Sequence, residues 1–141
     1  MDPPILCSRR VEFRDTDAAG IMHFSTYFTY MEEAEHELFR RLGTTVMQKV
    51  DEETTISWPR VAAECQYRGS ARFEDEIQIR VSVVRLGNSS VTFGFQFSVE
   101  DEQIASGTMT TVCCRFAKGQ PPKSIPIDKS LRAQLSKLLV A

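Results

Sequence analysis

"STYFTYMEEAEHELFRRLG", Ser25 to Gly43, decides how this chain folds. Tyr27, Met31, Ala34, Leu38 and Leu42 recur at helical spacing, and Phe28 and Phe39 widen the same stripe, as in a helix that lays one face on a core. Gly43 follows the last apolar position, where a glycine readily ends a helix. The spacing predicts a helix from about Ser25 to Leu42, with Glu33, His36, Glu37 and Arg40 on its solvated face. Glu35 falls inside the apolar arc, so it must snorkel, pair with a cation or shift toward neutrality. Arg68 and Arg72 are expected to pair with Glu74 and Asp75 or with this Glu35.

On either side of the helix the period changes to two. Val11 and Phe13 alternate with polar residues in a short strand over Cys7 to Arg14. After a polar connection, Thr44 to Ser57, three long strands follow: Val61, Ala63, Cys65, Tyr67; then Ile77, Ile79, Val81, Val83; then Val91, Phe93, Phe95, Phe97, Val99. A fourth strand is expected from Ile104 to Phe116, and the turns carry "LGNSS" and "EDEQ". The tail "KGQPPKSIP" reads as a connector, and Ile127 to Val140 as a terminal helix starting near Asp128. The order is strand, long helix and an antiparallel meander of four strands, an α+β domain in two layers. At 141 residues, one domain over 1–141 is expected. Edge strands and an uncovered sheet face predict a homo-oligomer.

Composition narrows the classes of function. Hydrophobic residues make up 42% and charged residues 26%, ordinary for a globular protein. With 17 basic against 19 acidic residues the net charge is -2, so no global field gathers nucleic acid or anionic lipid, and neither is expected as a partner. The start "MDPPILCSRR" lacks an apolar signal segment and no long apolar run follows, which predicts a soluble, cytoplasmic protein. Cys7, Cys65, Cys113 and Cys114 form no C-x-x-C pair, and only His23 and His36 stand beside them, so no metal site is expected and the thiols are read as reduced. In a strand Cys113 and Cys114 face opposite sides, one toward the core and one toward the surface. No P-loop, Ser-His-Asp pattern, H-E-x-x-H or dinucleotide glycine motif is present, and no cofactor is expected.

Between the first strand and the helix lies "RDTDAAGIMHF", Arg14 to Phe24. Asp15 and Asp17 are read either as turn formers that complement the helix dipole, with Gly20 permitting a sharp turn, or as chemistry. Backbone amides at a helix start are unpaired. A carboxylate facing them across a small gap is a nucleophile or base opposite an oxyanion hole. The stretch is also longer than a simple strand-to-helix connection needs.

"VEFRDTDAAGIMHFSTYFTYMEEAEHELFRRLG", followed by "YRGSARFEDEIQIRVSVVRLGNSSVTF", resembles the hotdog-fold acyl-CoA thioesterases of the 4-hydroxybenzoyl-CoA thioesterase family, from about Val11 to Pro126. The resemblance implies a five-stranded antiparallel sheet wrapped around one long central helix, and an acyl-CoA substrate. It also implies a site between the subunits of a homodimer, with dimers assembling into a tetramer. In this family's pattern Asp17 is the catalytic carboxylate and the Phe24 amide polarises the thioester carbonyl, with the turn held by Gly20. Tyr27 and Glu32 face the substrate in the same pattern. Relatives carry histidine or tyrosine where this chain has Phe24, so His23, one position earlier, either substitutes for that group or is a turn residue. Some relatives hold the coenzyme A phosphates on a basic turn; here that turn is Gly87-Asn88-Ser89, and Arg85, Lys118 and Lys123 are the candidates. Trp58 lines the acyl pocket or caps the core edge.

An unperturbed aspartate has a pKa of about 3.9 and is a poor base at neutral pH, so direct attack to form an anhydride competes with activation of water. Two other functions stay open. One is a non-catalytic acyl-thioester-binding module using the same groove. The other is a hotdog dehydratase with His23 as its base.

Overall fold

The computed structural model describes residues 5–140, so the ends of the expected 1–141 domain lie outside the described residues. Strand β1 spans Ile5–Arg10 and buries Ile5 and Cys7 on one face. It ends four residues before the expected Arg14. The Asp15 carboxylate accepts the Glu12 amide at 2.9 Å, and Phe13–Asp15 tighten into a 3-10 turn. A short polar side chain has drawn the backbone out of the strand. Phe13, expected to alternate inward with Val11, is therefore 77% exposed and meets Phe73 edge-on at 6.0 Å.

Helix α1 covers Thr26–Arg41, and Tyr27, Met31, Ala34 and Leu38 are buried as their spacing predicts. Gly43 has φ +82°, a conformation that glycine tolerates without cost to a side chain.

Strands β2 (Met47–Lys49) and β3 (Thr54–Ser57) occupy the stretch read as a polar connection. They are too short and too polar to show a period. Then come β4 (Arg60–Tyr67), β5 (Glu76–Leu86), β6 (Ser90–Val99) and β7 (Glu102–Val112). The main sheet has five strands in the order β1-β5-β6-β7-β4. The expected four-strand meander is corrected: only β5, β6 and β7 meander, while β4 crosses to the far edge beside β7. One inner row across the sheet runs Cys7, Ile79, Phe97, Ala105, Tyr67, and the next runs Ile5, Val81, Phe95, Gly107, Cys65. These rows face α1. At Gly107 a Cβ would lie 2.6 Å from Met31 Cε and 2.8 Å from the Glu64 carbonyl, so the missing side chain lets the helix settle on β7.

The strand expected from Ile104 to Phe116 is two. It breaks at Cys113, whose amide donates to the Ser89 carbonyl at 2.7 Å. It resumes as β8 (Cys114–Ala117) in a second sheet of order β2-β3-β8-β9, with β9 at Lys123–Ser124. Because the chain changes sheets there, Cys113 and Cys114 are both buried rather than one facing solvent. All four cysteines are free thiols. Helix α2, Lys129–Ser136, starts as expected: Asp128 Oδ2 accepts the amides of Ser130 and Leu131 at 3.1 and 3.3 Å. Among the described residues no helix is long and apolar enough to cross a membrane.

Candidate active site

The turn after β1 is built around Asp17. Its amide donates to the Ile21 carbonyl at 2.9 Å, and its carbonyl accepts from the Gly20 amide at 3.0 Å. Gly20 takes φ +83° at the tip. Asp17 Oδ1 accepts the amides of Ala19 and Ile21 at 2.8 and 3.4 Å, an arrangement that aspartate adopts readily in turns. Oδ2 makes no hydrogen bond among the described residues. The carboxylate lines a pocket of about 150 Å³ with Ile21, Met22, Phe24, Tyr27, Tyr67, Gly69 and Ser70.

Asp15 is used differently. Its Oδ2 accepts the Glu12 amide and the Tyr30 hydroxyl, both at 2.9 Å, and its carbonyl accepts the His23 amide at 2.8 Å and Thr26 Oγ1 at 3.2 Å. Burial, reinforced by the bond to Asp15, holds the Tyr30 phenol protonated.

Where the chain enters α1, the His23 carbonyl accepts the Thr26 amide at 3.0 Å. His23 Nδ1 accepts the Ser25 amide at 3.2 Å and lies 2.7 Å from Ser25 Oγ. That network assigns the ring proton to Nε2. The imidazole stacks on Phe24 at 4.5 Å. The Phe24 carbonyl accepts the Tyr67 hydroxyl at 2.9 Å, whereas its amide makes no hydrogen bond among the described residues. Tyr27 is buried with its ring edge-on to Tyr67 at 5.1 Å and to Phe97 at 5.2 Å. Burial pushes the phenols of Tyr27 and Tyr67 up to about 12, with the neighbouring Cys65 adding to both.

Of the expected site residues, Asp17, Gly20, Phe24 and Tyr27 come together, and His23 stands behind Phe24 without lining the pocket. Glu32 lies further along α1, half-exposed, with Oε2 3.5 Å from the Arg60 guanidinium. The same guanidinium pairs with Glu35, which is fully buried. Arg68 and Arg72 were the expected partners, but they follow the far end of β4, whereas Arg60 opens it, facing the middle of the helix. Neither makes an ion pair among the described residues, and Arg72 meets Asp75 through its backbone amide, 2.8 Å from Oδ2. Burial drives the Glu35 carboxyl up to about 7, while Arg60 pulls the other way.

Trp58 is buried edge-on against Phe39 at 5.3 Å and lines a separate cavity of about 230 Å³ with Ile56, Cys113 and Ile125. Arg85 pairs across the sheet with Thr92, in a row running through Thr110 to Ala62, at the opposite end of β4 from Tyr67. Lys118 and Lys123 are exposed around the connection from β8 to β9. Within one chain these four are set apart from Asp17. Sequence reasoning missed Tyr67, Gly69 and Ser70 as pocket residues, since Tyr67 read only as one more alternating strand position. The one available signal was "YRGS", an aromatic residue followed at once by turn formers.

Among the described residues no group of His, Cys, Asp or Glu is placed to hold a metal ion. What remains is a carboxylate with a free oxygen and an unpaired amide at a helix start, lining one small pocket. Residues 11–135 match the family model of the thioesterase-like superfamily. The chain belongs to that superfamily. By that membership it is a hotdog-fold thioester hydrolase. This thioesterase is 32% identical to a 1,4-dihydroxy-2-naphthoyl-CoA hydrolase of Synechococcus sp. (strain CC9605) over 114 residues, 78% of this chain and 76% of the relative. It is 24% identical to the acyl-CoA thioesterase YbgC of Haemophilus influenzae over 119 residues, 82% and 87% of the two chains. The structure of a gentisyl-coenzyme A thioesterase superposes with a TM-score of 0.81 at 33% identity, covering 93% of this chain and 99% of the other.

Proposed function

We propose that the thioesterase hydrolyses acyl-coenzyme A to the free acid and coenzyme A, with Asp17 as nucleophile or general base and the Phe24 amide polarising the carbonyl. The observation that carries this is the pocket shared by the Asp17 carboxylate and the unpaired Phe24 amide. In the nucleophilic route Asp17 Oδ2 attacks the thioester carbon, and the oxyanion forms against the Phe24 N–H. The C–S bond then breaks, the thiolate leaves and takes a proton from solvent, and water hydrolyses the acyl-aspartyl anhydride. In the general-base route Asp17 takes the proton of the attacking water. One oxyanion donor contributes about 3 kcal/mol in either route.

Phe24, Tyr27 and Tyr67 give the pocket aromatic walls, which suit a flat acyl group, and two of the relatives above are named for aromatic acyl-CoA substrates. Trp58, Arg85, Lys118 and Lys123 can serve this site only across a subunit boundary. The edge of β4, which pairs with no further strand among the described residues and has Val61 62% exposed, is the proposed homodimer seam, and dimers then pair into a tetramer. The dehydratase alternative finds less support, because the His23 Nδ1 lone pair already accepts the Ser25 amide.

The test is a panel of aromatic and aliphatic acyl-CoA thioesters with thiol release as readout. Wild-type protein turns over the aromatic members fastest, and Asp17→Asn loses about a hundredfold or more. Acyl-CoA binding without thiol release would instead support a non-catalytic module, and unchanged rates in Asp17→Asn would overturn the assignment of the carboxylate.

A further inference from the structure

We propose that Tyr67 is a positioning residue for the thioester reaction, its hydroxyl holding the Phe24 carbonyl so that the Phe24 amide stays aimed at the developing oxyanion. This rests on the oxyanion role of Phe24 given above.

An oxyanion donor contributes only when it is aimed before the charge develops, and the first residues of a helix have few intrahelical bonds to aim them. Two of the bonds around Phe24 are local: Thr26 N–H to the His23 carbonyl at 3.0 Å, and Ser25 N–H to His23 Nδ1 at 3.2 Å. They close the turn on itself and do not say where it sits against the sheet.

The bond from Tyr67 Oη to the Phe24 carbonyl, 2.9 Å and 43 residues away in sequence, makes that connection. Tyr67 ends the inner row that runs through Phe97 and Ala105, and its ring is wedged against Tyr27, itself wedged against Phe97. A file of aromatic rings thus runs from the middle of the sheet to the helix entry. With its phenol protonated throughout the physiological range, Tyr67 is a constant donor. The segment just beyond it also holds the other half of the site, since the Met22 amide donates to the Ala71 carbonyl at 2.8 Å and Ile21 bridges to Arg72. Carboxylate turn and amide are both referenced to residues 67–72.

Tyr67→Phe keeps the ring and removes only the donor. The expected result is a loss of about tenfold in kcat and in kcat/KM together, with KM and Tm nearly unchanged, part of the hundredfold or more that loss of a whole oxyanion donor costs. A purely structural role would lower Tm and leave the rate of folded enzyme alone. Infrared difference spectra of benzoyl-CoA, isotope-labelled at the thioester carbonyl and bound to Asp17→Asn protein, supply an independent readout. The carbonyl band shifts to lower frequency on binding, and adding Tyr67→Phe moves it back toward its solution position. A shift that survives Tyr67→Phe, or a kcat that does not fall, overturns the role of Tyr67 and leaves that of Phe24 standing. No shift in the Asp17→Asn parent removes the oxyanion role of Phe24, and this proposal with it.

Discussion

At the start of α1 the Asp17 carboxylate keeps one oxygen free in an open pocket beside an unpaired amide, whereas midway along the helix Glu35 is fully buried against Arg60. Both are carboxylates, one in the turn that leads into the helix and one on the helix itself. They differ in what surrounds them. Asp17 is held by amides of its own turn, which constrain its direction without consuming it. Glu35 has given up solvent for a single guanidinium, and its Oε2 and the Arg60 Nε remain without hydrogen-bond partners among the described residues. A carboxylate that is aimed and still accessible is available for chemistry, while one that is enclosed is tied up in stability.

Substitution should separate the two. The largest effect falls on rate: Asp17→Asn, beyond losing about a hundredfold or more in turnover, should keep its Tm within a few degrees by thermal melt. Next comes Arg60→Met, which should cost about 1–3 kcal/mol in urea denaturation at neutral pH, because the Glu35 carboxyl, already raised to about 7, takes up a proton once its partner is gone, with kcat of the folded fraction unchanged. Pairing it with Glu35→Leu should recover most of that loss, since apolar replacement of a buried ion pair is often neutral.

A pH series sharpens the contrast further. The Glu35 carboxyl titrates near 7 in the folded protein against 4.5 as its ordinary value, so between those values the folded state binds more protons than the unfolded one. The stability contributed by protonated Glu35 is complete below the ordinary value and is lost as pH rises through about 7. Glu35→Gln should flatten that decline, by up to about 3 kcal/mol across the window. A difference between the two proteins that is flat with pH would contradict it. The smallest effect belongs to Lys118→Ala with Lys123→Ala. A rise of about threefold or less in KM for acyl-CoA at low salt, vanishing at high salt, is the expected result for solvated phosphate contacts.

What was legible in the sequence follows the reach of each signal. The α1 stripe, its glycine stop, the Asp128 cap and the period of β5 and β6 are local, and they appear where their spacing puts them. The Asp17 turn was legible for the same reason. The edge that β4 occupies was not, because alternation assigns faces and never neighbours. Without that placement, neither the Arg60 partner of Glu35 nor the approach of Tyr67 to Phe24 can be inferred, since one joins β4 to α1 and the other joins β4 to the turn just before it. Strands β2 and β3 escaped because three or four residues with a single apolar side chain among them carry no period.

Gly107 sets a gauge for the whole arrangement. Met31 rests on it, and Tyr27 occupies the same helix face one turn nearer the entry. A methyl group at Gly107 would press on the Met31 thioether, which can swing aside, and on the Glu64 carbonyl of β4, which cannot, so it would act as a wedge between β7 and β4. It would remove no functional group, yet it would disturb the edge strand that ends in Tyr67. The spacing of β4 against β7 is thus machined into a residue with no side chain of its own.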